Sequence, residues 1–301
     1  MEGILLGEFP VPQTFDDGIQ TPLSRKEGEF LRNQWNIGMD YHPYIPAFSY
    51  LSNWLKVIFS GDYDEFMKML EGKKESKIKM MISRRETLMN VSAIFHVING
   101  ARLFSSDDQK FKHLQNTAKQ NLKVKNEHKK IFLKLLSLGC DINIRDVAGF
   151  TPLHHCCSAF ATEETLKMAE LLIWKRADIN AKSRFGSTAL HEATNVFRYD
   201  VIQFLLKYGA DPYIVDYEGD SARKIAGQSS NPKLMEIFSK FDREKVRQER
   251  KEKGNPWKCE FCGKEDKSNK KCKGCYHVWY CNSECQVQHR NEHKETCEVI
   301  R

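Results

Sequence analysis

Three stretches near the middle of the chain, DVAGFTPLHHC (146–156), SRFGSTALHEA (183–193) and DYEGDSARKIA (216–226), align without gaps at offsets of 37 and then 33 residues. A second landmark keeps the same register: GCDIN (139–143), RADIN (176–180) and GADPY (209–213) each follow an apolar helix end, FLKLLSL, AELLIWK or IQFLLKY. Two independent landmarks in one register predict stacked repeats, because a single unit of this size cannot bury its own apolar face and a neighbour must cover it. Within the unit Thr151 is placed to cap a first helix. Pro152 suits the first turn, where no N–H donor is needed, and Gly149 permits the turn before it.

Weaker copies extend this pattern outward. AFSYLSNWLKVIFSGDYDEFMKMLEG (47–72) has the order helix, glycine turn, helix, with apolar residues at helical spacing. Another copy opens at VSAIFHVINGAR (91–102) and resumes at HKKIFLKLLSLGCDIN (128–143), so a polar insertion near 103–127 separates its helices and is expected to form a surface loop, with or without a helix of its own. Past the last repeat, Leu234, Ile237, Phe238 and Phe241 share one helical face and are expected to cap the stack. The sequence then turns wholly charged until Gly254-Asn255-Pro256 stops it.

The combination of G-x-T-P-L-H with a helix ending in L-L-x-x-G-A-D resembles the ankyrin repeat, over roughly residues 46–242. That resemblance implies a mostly α fold, an α-solenoid of about four repeats plus a C-terminal cap, whose TPLH histidines, His154 and His191, hydrogen-bond between neighbouring turns. The expected organisation is an extended leader at 1–45, the repeat domain at 46–242, a charged helical linker at 243–256 and a small domain at 257–301. The leader region carries prolines together with Trp35, Tyr41 and Tyr44, a composition too aromatic for simple disorder.

Seven of the ten cysteines crowd between Cys259 and Cys297, a clustering that favours metal over disulfides. The pattern is Cys259-x2-Cys262, Cys272-x2-Cys275, Cys281-x3-Cys285 and His293-x3-Cys297. A structural zinc takes four Cys or His ligands in a tetrahedron, so eight ligands in close pairs predict two closed zinc sites. A segment this short cannot bury enough apolar surface to fold alone, and metal is expected to supply the difference. Spacing leaves open which pairs share a zinc, and His289 is a rival to His293 because residues 285, 289, 293 and 297 recur every four; His277 is a weaker rival.

The ligand order, with Tyr280-Cys281 and Cys285-Gln286 inside it, is similar to the MYND-type zinc finger. The resemblance implies interleaving, with Cys259, Cys262, Cys281 and Cys285 on one zinc and Cys272, Cys275, His293 and Cys297 on the other. It also implies a shallow groove for a proline-containing peptide, to which Tyr280, Ser283 and Gln286 correspond. Arg290 stands where the family has a tryptophan, which removes the flat platform a proline would stack on while leaving an aliphatic stem to cover apolar surface.

No catalytic pattern competes with these readings. The chain has no phosphate-binding glycine loop, no G-x-S-x-G elbow and no H-E-x-x-H. Cys156 and Cys157 fall on a repeat helix, where a free cysteine is ordinarily buried and inert. Some MYND fingers accompany a SET methyltransferase, but no Asn-His-Ser-Cys segment of that kind is present. The formal net charge of +7 invites a nucleic-acid reading, yet acids are interspersed with the bases in VKNEHKK and DREKVRQERKEK, as on a solvated helical face.

No apolar run approaches a membrane span, and the first residues do not read as a secretory signal, so a reducing intracellular compartment, cytoplasm or nucleus, is expected. The expected function is a non-enzymatic, monomeric adaptor that binds partner proteins and holds two zinc ions. A nucleic-acid-associated transcriptional regulator is the alternative.

Overall fold

The structure is a computed structural model that describes residues 51–85, 91–252, 258–272, 278–290 and 293. The expected leader at 1–45, and Cys275, His277 and Cys297, lie outside the described residues. The chain divides into two compact units, Met1–Met235 and Glu236–Arg301.

The first unit is built from helix pairs. α1 (Asn53–Ser60) begins where the Ser52 hydroxyl accepts from the Leu55 N–H, and α2 (Tyr63–Leu70) begins where Asp62 accepts from the Glu65 N–H at 3.1 Å. α3 (Glu75–Ser83) follows. α4 (Ala93–Ser105) is buried at every position from Ala93 to Leu103, as only a helix enclosed by neighbours on all sides can be. It lies so close to α1 that a Cβ at Gly100 would stand 2.3 Å from the Phe59 carbonyl oxygen. α5 (Gln109–Asn121) occupies the insertion, and α6 (His128–Ser137) completes the interrupted pair.

The repeats read from the sequence follow as α7 (Pro152–Cys156) with α8 (Glu163–Trp174), then α9 (Ala189–Asn195) with α10 (Tyr199–Lys207), then α11 (Ala222–Gln228) and the start of α12 (Pro232–Glu252). Thr151 and Thr188 cap α7 and α9, each hydroxyl meeting Nδ1 of the histidine three residues on, His154 at 2.9 Å and His191 at 2.8 Å. The third copy has lysine in place of that histidine, and Ser221 there caps through the Lys224 N–H alone. His191 Nε2 lies 3.1 Å from the Asp220 carbonyl oxygen in the next repeat, the bridging role implied for it.

The DIN landmark also has a structural role. Asn143 accepts from the Asp178 N–H at 3.0 Å, and Asn180 accepts from the Asp211 N–H at 2.9 Å, so one amide per repeat ties its turn to the next. At the turn tips Asp146 and Asp216 each accept two backbone N–H groups, and Tyr217 donates its N–H to the Phe185 carbonyl of the tip before it. Gly186 is needed at that contact: its φ is +77°, and a Cβ would stand 2.8 Å from the Tyr217 nitrogen. On α12, Leu234, Ile237 and Phe238 are buried and Phe241 is half-buried. Among the described residues no helix is long and apolar enough to cross a membrane.

Candidate metal centre

In the second unit, beyond the end of α12, the described backbone forms a two-stranded antiparallel sheet, β1 (Lys270–Lys271) with β2 (Trp279–Tyr280), and the short helix α13 (Ser283–Gln288). The first cysteine pair sits on a tight turn in which the Gly263 N–H donates to the Cys259 carbonyl and the Cys259 N–H to the Lys264 carbonyl. The Glu260 N–H reaches across to the Trp279 carbonyl, fastening that turn beside β2. Asn282 caps α13 by accepting from the Cys285 N–H at 2.8 Å, which sets the helix that carries Cys285 just after Cys281.

These elements bring Cys259, Cys262, Cys281 and Cys285 together, with all four sulfurs within 4.8 Å of one another. Cys262 and Cys281 sulfurs are 3.5 Å apart, and those of Cys281 and Cys285 are 3.4 Å apart. A disulfide needs about 2.05 Å, whereas the edge of a tetrahedron with Zn–S bonds of about 2.3 Å is about 3.8 Å. The thiols are spaced for a shared cation and not for a bond between them. Four-thiolate coordination is a common structural zinc set, so this cluster fits zinc.

The thiol chemistry agrees with that fit. Burial opposes ionisation of Cys259, but the backbone amides of Cys262, Cys281 and Phe261 hold its thiolate and bring the pKa down to about 6. Cys285 is pushed the other way, to about 12, by its hydrogen bond with Cys281 and by burial. Four adjacent thiols cannot all ionise against their mutual repulsion; a divalent cation removes that obstacle.

Of the second expected ligand set, Cys272 and His293 are described. His293 Nε2 lies 3.3 Å from Cys272 Sγ, near the roughly 3.6 Å edge that zinc–sulfur and zinc–nitrogen bonds would give. The rival His289 is engaged elsewhere: its Nδ1 is 2.9 Å from the Tyr280 hydroxyl, and its ring stacks on that of His293.

Of the four residues expected to line a peptide groove, Ser283, Gln286 and Arg290 are exposed and spaced along one helical stripe. Tyr280 is not with them. It is 3% exposed, packed among Cys259, Cys272 and Val278. Its place in β2 turns the ring inward and its hydroxyl onto His289, so it offers no face to a ligand. Among the described residues of this unit the exposed large apolar side chains are Phe261 and Val287, the latter 66% exposed.

The residues set aside as catalytic remain scaffold in the structure. Cys156 and Cys157 are fully buried; burial pushes the Cys156 thiol far up and the Cys157 thiol to about 12, which leaves neither with a usable thiolate. His154 is held neutral by burial, its pKa pulled down to about 3.

Comparison with known proteins agrees with both modules. The ankyrin-repeat family model matches residues 121–238 in three copies, and the MYND finger model matches residues 259–297. The chain therefore carries ankyrin repeats followed by a MYND finger. Human BCL-6 corepressor-like protein 1 is 33% identical over 95 residues, 32% of this chain and 5% of that protein. A putative ankyrin repeat protein of Acanthamoeba polyphaga mimivirus is 26% identical over 111 residues, 36% of this chain and 68% of that protein. Serine/threonine-protein kinase 12 of Arabidopsis thaliana is 29% identical over 104 residues, 35% of this chain and 22% of that protein. The first two matches in the curated set cover only 5% and 12% of the relatives' own lengths. Both matched modules are of kinds that typically bind and do not catalyse.

Proposed function

We propose that this protein is a non-enzymatic interaction adaptor whose C-terminal finger, about residues 257–301, is folded by two structural zinc ions. The four-thiol cluster of Cys259, Cys262, Cys281 and Cys285 carries the reading. In the proposed arrangement Cys272 and His293, already 3.3 Å apart, hold the second ion together with Cys275 and Cys297. Sites closed by four protein ligands leave no open position for a substrate, which favours a structural role over a catalytic one. We assign it to a reducing compartment inside the cell because the clustering of its cysteines favours metal over disulfides.

The repeat domain contributes the larger binding surface. Tyr213, Val215 and Tyr217 at one turn tip are 45%, 49% and 58% exposed, an apolar group of the kind that marks a protein contact. The finger adds a weaker contact through the stripe of Ser283, Gln286 and Arg290 beside Val287. Two linked weak contacts bind more tightly than either alone.

Native mass spectrometry of the full chain is the test of the zinc assignment: two zincs are expected, and one or none would overturn the ligand set. For the adaptor reading, proteins co-purifying in stoichiometric amount with the wild type should be lost with Tyr213→Ala/Tyr217→Ala at unchanged melting temperature. A chain that retains no stoichiometric protein from its own cells counts against it.

A further inference from the structure

Bases and acids alternate along most of this chain, but between Asp108 and Glu127 there is no acid at all: QKFKHLQNTAKQNLKVKN, residues 109–126, holds five lysines and a histidine. This is the insertion that interrupts the second helix pair, and the structure shows which way it faces. Phe111 and Ala118 of α5 are buried, and Leu114 and Leu122 pack with them against Phe59, Leu103 and Phe160. Gln115, also buried, donates to the carbonyls of Leu103 and Ser106 at 2.7 and 2.8 Å, tying α5 to the end of α4. The helix is therefore docked, and its opposite side is presented on a rigid support.

That side carries Lys112, Asn116 and Lys119, all exposed, at steps of four and three residues, with His113 and Gln120 beside them, and the exposed Lys123 follows two residues past the end of the helix. Lys112 and Lys119 are two turns apart, about 10 Å along the axis. Among the described residues neither they nor Lys123 forms a salt bridge, although Lys123 is near enough to Asp62 to help lower its pKa, whereas Lys125 is held by Asp62 at 3.0 Å and Asp64 at 2.9 Å and is not available. The acids that bound the segment in sequence, Asp107 and Asp108 before α5 and Glu127 after it, stand outside the helix.

We infer that this face of α5, with Lys123 just beyond it, binds the phosphate backbone of a nucleic-acid duplex. The apolar residues of the helix are all turned inward, so the face has charge and amide donors but no apolar anchor. A protein partner draws most of its affinity from buried aromatic or aliphatic anchors, and an interfacial helix on a membrane from a free apolar face; α5 offers neither. A phosphate backbone asks only for cations and donors placed along its length, and a duplex presents a charge about every 1.7 Å of axis. The contact is independent of sequence and separate from the adaptor contacts of the turn tips and finger.

The test is fluorescence anisotropy of the zinc-loaded full chain with a labelled mixed-sequence DNA duplex of about 20 base pairs, at about 50 and 200 mM salt. Three lysine–phosphate contacts give a slope near −2.7, so affinity should fall roughly 40-fold across that range. Lys112→Gln/Lys119→Gln/Lys123→Gln, which leaves the buried side of α5 intact, should lose binding at an unchanged melting temperature. The equal charge change Lys264→Gln/Lys267→Gln/Lys270→Gln in the finger should not. A wild type that ignores the duplex, a triple lysine variant of the insertion that binds as well as wild type, or loss only with the finger variant would overturn the inference. So would tighter binding to phosphatidylserine vesicles or to polyglutamate than to the duplex.

Discussion

In the repeat domain the residues wholly out of solvent are Ile98, Phe132, Leu172 and Leu205 and their like, and hydrogen bonds such as those of Asn143 and Asn180 pass from each repeat to the next. In the finger the buried cluster is Cys259, Cys272 and Tyr280, so two of its three members are thiols. The first region gains stability from apolar area and can spread it over many side chains. The second has too little chain to do so and concentrates its stability on a few metal bonds. The two should therefore fail under different treatments.

The largest separation is expected on chelation. Apparent zinc-binding energies of roughly 10 to 16 kcal/mol per structural site are coupled to folding, so stripping metal should unfold the finger and leave the array's transition where it was. Hydrogen exchange resolved by segment reads this directly, and an array that loosens equally would erase the distinction. The reverse case is Leu205→Ala on α10, at a fully buried position. It should cost the array about 2–5 kcal/mol in denaturant unfolding while zinc content stays the same.

Acid should also act on the array. Burial lowers the pKa of His96 and His128 to about 4 and of His154 to about 3, against about 6.5 in the unfolded chain. The unfolded state thus takes up these protons first as pH falls. The neutral rings contribute their full stability above about pH 6.5, and the contribution declines from there toward pH 4. The unfolding free energy of the array should fall between pH 7 and 5 by a few kcal/mol in all, read from denaturant titrations; equal values would mean these rings are solvated.

Smaller effects sharpen the comparison within each region. Thr188→Ala removes the cap of α9 and should cost about 0.5–2 kcal/mol in the array. Tyr280→Phe removes the hydroxyl held by His289 and should cost the finger about 1 kcal/mol with zinc retained. Weaker peptide binding by that variant, with stability unaltered, would return Tyr280 to the groove.

The repeat register was legible because it is written locally: capping threonines, turn glycines and helix ends recur at fixed offsets along the chain. The metal-ligand pattern was legible for the same reason, since close Cys and His pairs are a local feature. Spacing did not tell which pairs meet. Consecutive and interleaved pairing are both compatible with the same intervals, and it is the pairing of the Cys259 turn alongside β2 that brings Cys259 and Cys262 to Cys281 and Cys285. Likewise a four-residue recurrence kept His289 as a rival to His293, and in the structure the Tyr280 hydroxyl engages His289.

What the sequence by itself determined is the kind of each module and its register, because periodicity and ligand spacing are properties of neighbouring residues. Tertiary structure alone decided the inward turn of Tyr280, the tie from Asn143 to Asp178, and the docking of α5 that leaves its lysines facing outward. Each of these depends on a contact between residues far apart in the chain, and a contact of that range leaves no period in the sequence to read.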